Sequence, residues 1–404
     1  MPERADIHYF GAGPAALPTS VLTTAAAAIQ NYESSGLGLI EQSHRSASST
    51  AIITSAASHL LELLSVPTDK YTAIFMQGGG TTQFSAVFYN LLSNWIARKL
   101  AENNNDLEAV RELLKTAHAD YLITGAWSQK AAAEATRLGG AELINVAADA
   151  RKLPGGKFGD IPKQDAWTLT PAERNIYTFY CDNETIDGVE FPGFPEALKD
   201  GRNVVADMSS NILSRELDIS NYAVIFAGAQ KNVGGAGVTL VVVRNDILAV
   251  QASDEAMRKL GFGVPPVMMM YPILGKNGSL YNTLPVFDVF ICREVMAGLL
   301  ARGGLAAQEK VAGRKAKQLY DALENEAYEV VPAPGARSRM NIVFRLKAGE
   351  EAQKEFLKGA EERGLLGLKG HRSVGGLRIS NYNSITEEGA EKLAAWIKEF
   401  AERK

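Results

Sequence analysis

The sequence predicts an α/β fold in which a large domain, built on a mostly parallel sheet, is joined to a smaller α+β domain at the carboxyl end. Strand-like and helix-like stretches alternate through the middle of the chain, which is typical of parallel strands with helices on both faces. Two long helices follow from residue 285, and after residue 326 the pattern changes to a few strands and helices. The length of 404 residues is enough for more than one apolar core.

Seven short apolar runs predict the strands of the large sheet, because strands buried on both faces lack polar alternation. In chain order these runs cover residues 73–76, 119–124, 142–146, 176–180, 204–207, 222–226 and 238–243. Amphipathic spacing predicts helices over residues 49–65, 82–101, 127–138 and 194–199. The polar segment 102–106 and the glycine-rich segment 154–159 are predicted to be loops.

The end of the chain predicts a different arrangement of elements. Long helices are expected over residues 285–302 and 305–326, and shorter ones over 350–363 and 386–401. Strand-like runs cover residues 328–332, 340–346 and 376–379. This pattern indicates an α+β unit with a few strands.

The composition argues against several classes of protein. A net charge of −4 is unfavourable for a nucleic-acid binder, and no apolar run approaches membrane-spanning length. The first six residues lack the apolar region of a signal peptide. Cys181 and Cys292 are too few for a disulfide framework, and no His, Cys and Asp cluster has metal-ligand spacing. We therefore expect a reduced cytoplasmic protein with no metal, nucleic-acid or membrane partner.

One lysine lies among small residues between two predicted strands. Lys231 is surrounded by the Gly- and Ala-rich segment 227–237. Small neighbours let a flat ligand approach the backbone, and a lysine at the end of a buried strand can lose its proton and become a nucleophile. The segment is consistent with a lysine that carries pyridoxal phosphate as a Schiff base, or with an ordinary glycine-rich loop.

A carboxylate ends another predicted strand. Asp207 closes the apolar run 204–207, and ligand crevices of α/β proteins lie at the carboxyl ends of the strands. A carboxylate there can pair with the protonated nitrogen of a pyridine ring. It can also cap a helix or stabilise a turn. Because Asp207 and Lys231 both follow strands, their side chains can face one crevice.

A glycine-rich segment predicts an anion site. Gly78, Gly79 and Gly80 follow the strand at 73–76 and precede an apolar helical pattern. Exposed N–H groups and the helix dipole favour an anion at such a helix start. The segment is neither a Walker loop nor a dinucleotide fingerprint, and a plain strand-to-helix connection has the same pattern.

Together these motifs carry a family resemblance. The chain resembles the phosphoserine aminotransferases, a family of class V, fold-type I pyridoxal-phosphate enzymes. The matching segments are 10–15, 44–46, 78–83, 124–128, 181–188, 206–210, 227–237, 281–285 and 370–378. Asp182 stands where many relatives carry Pro, and Thr81 and Thr82 lie in a segment that varies.

The resemblance implies the cofactor contacts. Lys231 would hold pyridoxal 5′-phosphate, and Asp207 would keep its ring nitrogen protonated. Further cofactor contacts are implied for Gly80, Thr81, Trp127, Thr185 and Gln230, with Trp127 stacked on the ring and Thr185 bonded to its phenolic oxygen. From the residues alone, a core residue at a helix start is the favoured interpretation of Trp127, and Thr185 also fits a residue that stabilises a turn.

The resemblance also implies the substrate contacts. His44 and Arg45, together with His371 and Arg372, would bind the phosphate of phosphoserine or the distal carboxylate of glutamate, since an Arg fork matches such anions. Arg378 would bind the α-carboxylate. Taken singly, each arginine is better explained as a solvated surface charge.

A homodimer with shared active sites is implied as well. Asn282 and Thr283 would reach the cofactor phosphate of the neighbouring subunit, although residues of these types before Pro285 also fit a helix N-cap. The predicted large, cofactor-binding domain covers residues 18–305, and the small domain covers 1–17 and 306–404.

The implied activity is transamination of 3-phosphohydroxypyruvate with glutamate, which gives phosphoserine and 2-oxoglutarate in serine biosynthesis. Two alternatives remain open. An alanine–glyoxylate or serine–pyruvate transaminase of class V would share Lys231 and Asp207 without needing two His-Arg pairs. A non-catalytic ligand-binding protein of the same fold would not need the intact lysine, aspartate and glycine segment.

Overall fold

The strands of the computed structural model, which describes residues 3–403, fall into four sheets. In chain order they are β1 (His8–Tyr9), β2 (Tyr71–Met76), β3 (His118–Ile123), β4 (Ile144–Asp149), β5 (Asn175–Cys181), β6 (Asn183–Glu184), β7 (Val189–Glu190), β8 (Val204–Asp207), β9 (Val224–Gly228), β10 (Thr239–Arg244), β11 (Tyr328–Val330), β12 (Asn341–Leu346), β13 (Leu365–Leu366) and β14 (Leu377–Ser380).

The α-helices surround these sheets. They are α1 (Thr19–Gln30), α2 (Ala47–Leu63), α3 (Gly79–Glu102), α4 (Leu107–Leu114), α5 (Ala126–Gly139), α6 (Asn245–Ala249), α7 (Asp254–Lys259), α8 (Tyr271–Lys276), α9 (Val286–Ala301), α10 (Gly304–Leu323), α11 (Glu350–Glu361) and α12 (Glu387–Glu402). Within residues 3–403, no helix has both the length and the apolar character needed to cross a membrane.

The large sheet has the strand order β2-β10-β9-β8-β5-β3-β4. Its neighbours pair in parallel except at β10, which is antiparallel to both β2 and β9. The predicted mostly parallel sheet is therefore confirmed. Because β10 runs back beside β9, the chain between them turns at the carboxyl edge of the sheet, and this turn contains Lys231.

Both faces of the large sheet are buried, which explains its continuous apolar runs. In β8, Val204 and Ala206 belong to one apolar cluster and Val205 to another, because alternate side chains of a strand point to opposite faces. The first cluster includes α2 and α9, and the second includes α3 and α5. The sheet is thus a rigid platform whose edge carries the loops.

The last part of the chain has its own apolar cluster, which contains Phe344, Phe356 and Trp396 around the antiparallel sheet β11-β12-β14. Phe10 joins this cluster, and β1 pairs in parallel with β13. The first residues therefore return to the carboxyl-terminal part, as the resemblance implies. The domain limits at residues 17/18 and 305/306 stay a prediction, and residues 1, 2 and 404 lie outside the described residues.

Some predicted elements differ from the observed ones. The helix expected over 194–199 is only a 3₁₀ turn, Glu196–Leu198, because Pro195 precedes it and Gly201 adopts a left-handed φ of 85° soon after. The strand expected over 142–146 begins later, since residues Ala141–Leu143 form a 3₁₀ turn before β4. The strand expected over 222–226 is displaced by two residues in β9. The helices α1 and α4 and the short helices α6, α7 and α8 were not predicted from the sequence.

Candidate active site

Five of the predicted site segments meet at the carboxyl edge of the large sheet. The strands β2, β3, β5, β8 and β9 run in the same direction, so the segments that follow them lie along one edge. These segments contain Gly80, Trp127, Thr185, Asp207 and Lys231. The fold therefore collects residues that are up to about 150 positions apart in sequence at the place where α/β proteins bind ligands.

Lys231 is partly buried, and its amine is held by a hydroxyl. Its Nζ donates a hydrogen bond to Thr185 Oγ1 at 2.6 Å. Burial lowers the pKa of Lys231 to about 8, while the nearby Asp207 carboxylate acts in the opposite direction. A methyl group on Gly13 would lie 3.3 Å from Lys231 Cγ, so the amino-terminal segment packs against the lysine stem.

The small residues around Lys231 allow close packing within the protein, in addition to the close approach of a ligand that the sequence predicts. A methyl group on Gly234 would lie only 2.5 Å from Cys292 Sγ in α9, and Gly235 and Gly237 lie beside Asp288 of the same helix. The backbone turn after the lysine closes when the Gly234 N–H bonds the Ala229 carbonyl at 2.8 Å. The glycines downstream of Lys231 therefore let the turn pack directly on α9.

Asp207 is buried at the end of β8, where its two oxygens face different partners. Oδ1 accepts a hydrogen bond from the Ser209 N–H at 2.9 Å, which is the turn-stabilising arrangement that the sequence left open. Oδ2 faces the start of α3, 3.6 Å from where a methyl group on Gly80 would lie. Burial raises the pKa of Asp207, and the bonds from Ser209 and the charge of Lys231 oppose this shift.

The glycine segment opens α3 as an anion site requires. Gly78 and Gly79 adopt left-handed φ angles of 103° and 66°, which glycine tolerates without a steric cost. The Gly79 N–H donates to Thr239 Oγ1 at 2.9 Å. The N–H groups of Gly80 and Thr81 lie in the first helical turn, where no intrahelical acceptor is available. They can bind a phosphate group.

Trp127 is the second residue of α5, and its indole is only partly buried. Its Nε1 and the nearby Thr124 Oγ1 are buried atoms with no hydrogen-bond partner within residues 3–403. Lys130, one turn later, places its Nζ 4.4 Å from the centre of the indole ring. An exposed face on Trp127 and two unpaired polar atoms are features of a ligand site rather than of a closed core.

A cluster of cations lies at the carboxyl-terminal side of this edge. Arg378 donates to the Thr185 carbonyl at 3.3 Å, and His371 Nδ1 lies 2.7 Å from Ser373 Oγ. Burial lowers the pKa of His371, and Arg378, Arg372 and Lys130 lower it further. The predicted His371, Arg372 and Arg378 are therefore brought together, and the cluster is suited to anionic substrates.

The other predicted pair lies at a different rim of the molecule. Arg45 donates to the Leu280 carbonyl at 3.5 Å, and Asn282 donates to Gln77 Oε1 at 2.5 Å, next to the glycine segment. Thr283 is exposed. The helix α9 begins only at Val286, and no side chain caps it, so Asn282 and Thr283 do not serve as its N-cap. Within residues 3–403, no hydrogen bond joins Arg45 to the His371–Arg372 pair.

The sequence reading assigned no role to three charged residues near this edge. Glu184 accepts hydrogen bonds from the backbone of Trp127 and Ser128, Asp187 accepts one from Ala126, and Lys130 contacts the Trp127 ring. Glu184 and Asp187 flank Thr185 in the motif 181–188. Their closeness to a predicted site residue is the signal that could have marked them as site residues. Their partners are more than 50 residues away, which no local pattern reveals.

Asp182, the departure from the family pattern, has a structural explanation. Its Oδ2 accepts hydrogen bonds from Arg215 at 2.6 Å and from Asn211 at 2.5 Å. Arg215 also donates to the Phe191 carbonyl. A carboxylate is accommodated at this buried position because a guanidinium and an amide neutralise and bond it.

Comparison with known proteins shows the family of the chain and confirms its fold. The family model described as aminotransferase class-V matches residues 7–393. The chain is 43% identical to the phosphoserine aminotransferase of Saccharomyces cerevisiae over 99% of each chain. It also matches the solved phosphoserine aminotransferase from Bacillus circulans subsp. alkalophilus, with 37% identity, a TM-score of 0.83 and 98% of each chain covered. The pyridoxal-phosphate-bound enzyme of Trichomonas vaginalis matches with 33% identity and a TM-score of 0.83 over 97% of this chain and 99% of that one.

Proposed function

The chain belongs to the class-V aminotransferase family, and we propose that it is a pyridoxal-phosphate-dependent phosphoserine aminotransferase. It transfers the amino group of glutamate to 3-phosphohydroxypyruvate, giving phosphoserine for serine biosynthesis and 2-oxoglutarate. The observation that carries this proposal is the Lys231 amine, held 2.6 Å from Thr185 at the edge where Asp207 ends its strand. Relatives that match almost the whole chain and bear this name support the choice of substrate.

The residues at this edge fit the cofactor. Unbonded N–H groups at the start of α3 suit a phosphate, and the buried Asp207 suits a protonated ring nitrogen. Trp127 Nε1 and Thr124 Oγ1 are buried polar atoms without a partner among the described residues, and a bound ligand could supply one. The proposed contacts are Gly80, Thr81, Trp127, Thr185, Asp207, Gln230 and Lys231. When bound, the cofactor withdraws electrons from the substrate carbon that loses its proton.

Lys231 is the proton carrier in this proposal. Because the pKa of its amine is lowered to about 8, a substantial fraction is neutral at a slightly alkaline pH. A neutral amine can accept the proton from the substrate Cα, and it would then deliver this proton to the C4′ carbon of the cofactor. The Thr185 hydroxyl orients the amine, and the buried Asp207 carboxylate stabilises positive charge on it.

The cation cluster supplies substrate recognition. Arg378 is partly buried beside Thr185 and close to Lys231, so it is placed to bind the α-carboxylate that every amino acid carries. His371 and Arg372 lie farther towards the surface and bind the distal phosphate or carboxylate. His44 and Arg45 add to this distal site in the assembled enzyme.

The assembled enzyme is a cytoplasmic homodimer in this proposal. Leu37 and Ile40 are 52% and 61% exposed, and Tyr281 is 45% exposed next to Asn282. Such apolar exposure supports a protein–protein interface. Arg45 contacts Leu280, two residues before Asn282, so a dimer that brings Asn282 to the partner's site also brings Arg45 there.

A half-reaction tests the function directly. Purified protein loaded with pyridoxal phosphate should show the visible absorbance of the bound cofactor, lose it when phosphoserine is added, and regain it with 2-oxoglutarate. Glutamate should act like phosphoserine, and alanine should act far more weakly. Equal responses to alanine and phosphoserine would favour a general class V transaminase, and the absence of any cofactor band would contradict the proposal.

A further inference from the structure

A short hairpin, residues 183–190, joins several groups of the active site. Its strands β6 and β7 pair Asn183 with Glu190 and Glu184 with Val189, and the Gly188 N–H closes the turn on the Glu184 carbonyl at 2.8 Å. The turn residues 184–187 are buried. Because both ends of the turn are paired, its side chains have fixed positions relative to one another.

Glu184 lies against the amino terminus of α5. Its Oε2 accepts a hydrogen bond from the Trp127 N–H at 2.9 Å, and its Oε1 accepts two from Ser128, one from N–H at 2.9 Å and one from Oγ at 2.6 Å. A methyl group on Gly125 would overlap the Glu184 carboxyl group. The carboxylate therefore sits directly on the backbone that carries the indole.

The next residues of the turn contact the reacting side of the site. Thr185 accepts a hydrogen bond from Lys231 through its hydroxyl and one from Arg378 through its carbonyl. Asp187 accepts a hydrogen bond from the Ala126 N–H at 2.8 Å. One rigid turn thus connects the indole, the amine and the guanidinium.

We propose that Glu184 is a positioning residue, which fixes Trp127 through the start of α5 and ties the indole to the turn that holds Lys231. This inference rests on the proposed function for its catalytic consequence, whereas its structural content concerns residues of this chain alone. Three bonds to one side chain leave the start of α5 little freedom to shift relative to Thr185.

The two carboxylate oxygens of Glu184 distinguish its positioning role from that of an ordinary helix cap, which needs only one acceptor. Burial and the neighbouring Asp187 carboxylate raise the pKa of Glu184 to about 7, so the acid is held there at a cost in free energy. A carboxylate offers two acceptor oxygens, and both are used. A glutamine offers one acceptor oxygen, so Glu184→Gln must give up the bond from either the Trp127 N–H or the Ser128 N–H.

The test uses a probe on each of the four tryptophans. Protein labelled with 5-fluorotryptophan gives one ¹⁹F resonance per tryptophan, and the spectrum of Trp127→Phe assigns the Trp127 signal. In Glu184→Gln we expect the Trp127 resonance to shift or broaden while the other three stay in place. Glu134→Gln is the matched control, because it makes the same chemical change within α5 itself, where Glu134 bonds Ser85 and Arg137 outside the site.

Activity provides the second readout. Misplacement of order 1 Å can cost about 100-fold in rate, so kcat of Glu184→Gln should fall at least about tenfold, while Glu134→Gln stays within about threefold of wild type. If Glu184→Gln fails to fold, Gly125→Ala displaces the same carboxylate by its methyl group and should move the same resonance. An unmoved Trp127 resonance in the folded variant would overturn the inference. A wild-type protein without aminotransferase activity would instead contradict the proposed function. The shift of the Trp127 resonance would then still decide whether Glu184 positions Trp127.

Discussion

At the residue scale, the reactivity of Lys231 depends on its surroundings. Burial lowers the pKa of this amine from the ordinary 10.5 of a lysine to about 8. We expect the cofactor-free protein to react with pyridoxal phosphate at a rate that rises with pH and reaches half its maximum near pH 8. Trapping with borohydride and peptide mass spectrometry would give the extent of labelling at each pH. Lys231→Ala should show no labelling of this peptide and no transamination.

Asp207 should affect the pH at which Lys231 reacts in the same experiment. Its carboxylate stabilises the protonated amine, so Asp207→Asn should move the midpoint for Lys231 to a pH lower than in the wild type. A midpoint that stays unchanged or rises would show that the two groups do not interact. A half-maximal rate near pH 10 in the wild type would contradict burial as the cause of the shift.

The arginines are expected to divide substrate recognition between two anions. Arg378 lies beside Thr185, whereas Arg372 and Arg45 are exposed and farther from the lysine. Arg372→Leu or Arg45→Leu should therefore reduce kcat/KM for phosphoserine and glutamate far more than for alanine. Where the bound substrate and the partner subunit remove water from these arginines, the loss of a bidentate charged contact costs roughly 2–5 kcal/mol.

Arg378→Leu is the matched comparison, because it removes the same charge near the α-carboxylate. It should reduce kcat/KM for all three amino acids by similar factors. If Arg372→Leu and Arg45→Leu leave the ratio of phosphoserine to alanine unchanged, the distal site is assigned wrongly.

At the scale of elements, burial decides which ones the sequence predicts well. The seven strands of the large sheet were located within a few residues, because both of their faces are buried and their runs are apolar throughout. The helix expected over 194–199 was wrong, because a six-residue amphipathic pattern between Pro195 and Gly201 cannot nucleate. The helix α4 carried a readable signal, since Asp106 caps it through Glu108 and Ala109.

The site was predictable only where a motif follows a strand. Lys231 and Asp207 could be placed on one edge because parallel strands end together. Glu184 could not, because its contact with Trp127 depends on how a hairpin folds against a helix that begins more than 50 residues earlier. The placement of Arg45 away from Arg372 in one chain could not be inferred from a pattern either.

In α10, a buried lysine makes stability depend on pH. Lys315 is 1% exposed and donates to the carbonyls of Tyr382 and Ile385 at 2.9 and 2.8 Å. Burial lowers its pKa to about 7 from 10.5. Between these values the unfolded chain binds a proton that the folded chain lacks, so the free energy of unfolding rises with pH, by up to about 1.4 kcal/mol per unit. Below about pH 7 both states hold the proton, and this contribution is constant.

The prediction is a difference between variants. From pH 7 to pH 9, denaturant unfolding of the wild type should gain up to about 2 kcal/mol relative to Lys315→Met. Lys317→Met removes an exposed lysine of the same helix and serves as the control, for which no such pH-dependent difference is expected. Parallel pH curves for wild type and Lys315→Met would show that the buried amine keeps an ordinary pKa.

At the scale of the whole molecule, buried charges join the carboxyl-terminal strands to the large sheet. Glu190 accepts hydrogen bonds from the backbone and guanidinium of Arg339, and Asn183 bonds Asn341 and Ser338. These contacts lie on the hairpin that also holds Lys231 through Thr185. The hairpin therefore contacts both the carboxyl-terminal part of the chain and the lysine of the site.

The final prediction concerns assembly. If Asn282 and Thr283 complete the site of the partner, a Lys231→Ala subunit paired with an Asn282→Ala/Thr283→Ala subunit leaves one site with all its residues. Random pairing of equal amounts should then restore about a quarter of wild-type activity, since half of the C₂ dimers are mixed and each has one intact site of two. Subunits with different affinity tags, co-expressed and separated, allow the mixed dimer to be assayed alone.

A second mixture provides the control for that experiment. Lys231→Ala and Asp207→Asn subunits carry their defects on the same edge of their own sheet, so their mixed dimer has one damaged residue in each site and should stay inactive. Recovery in the first mixture and not in the second would establish that the site is shared. A fully active monomer in sedimentation, or equal activities of the two mixtures, would exclude it, and Asn282 would then act only through its bond to Gln77 within one chain.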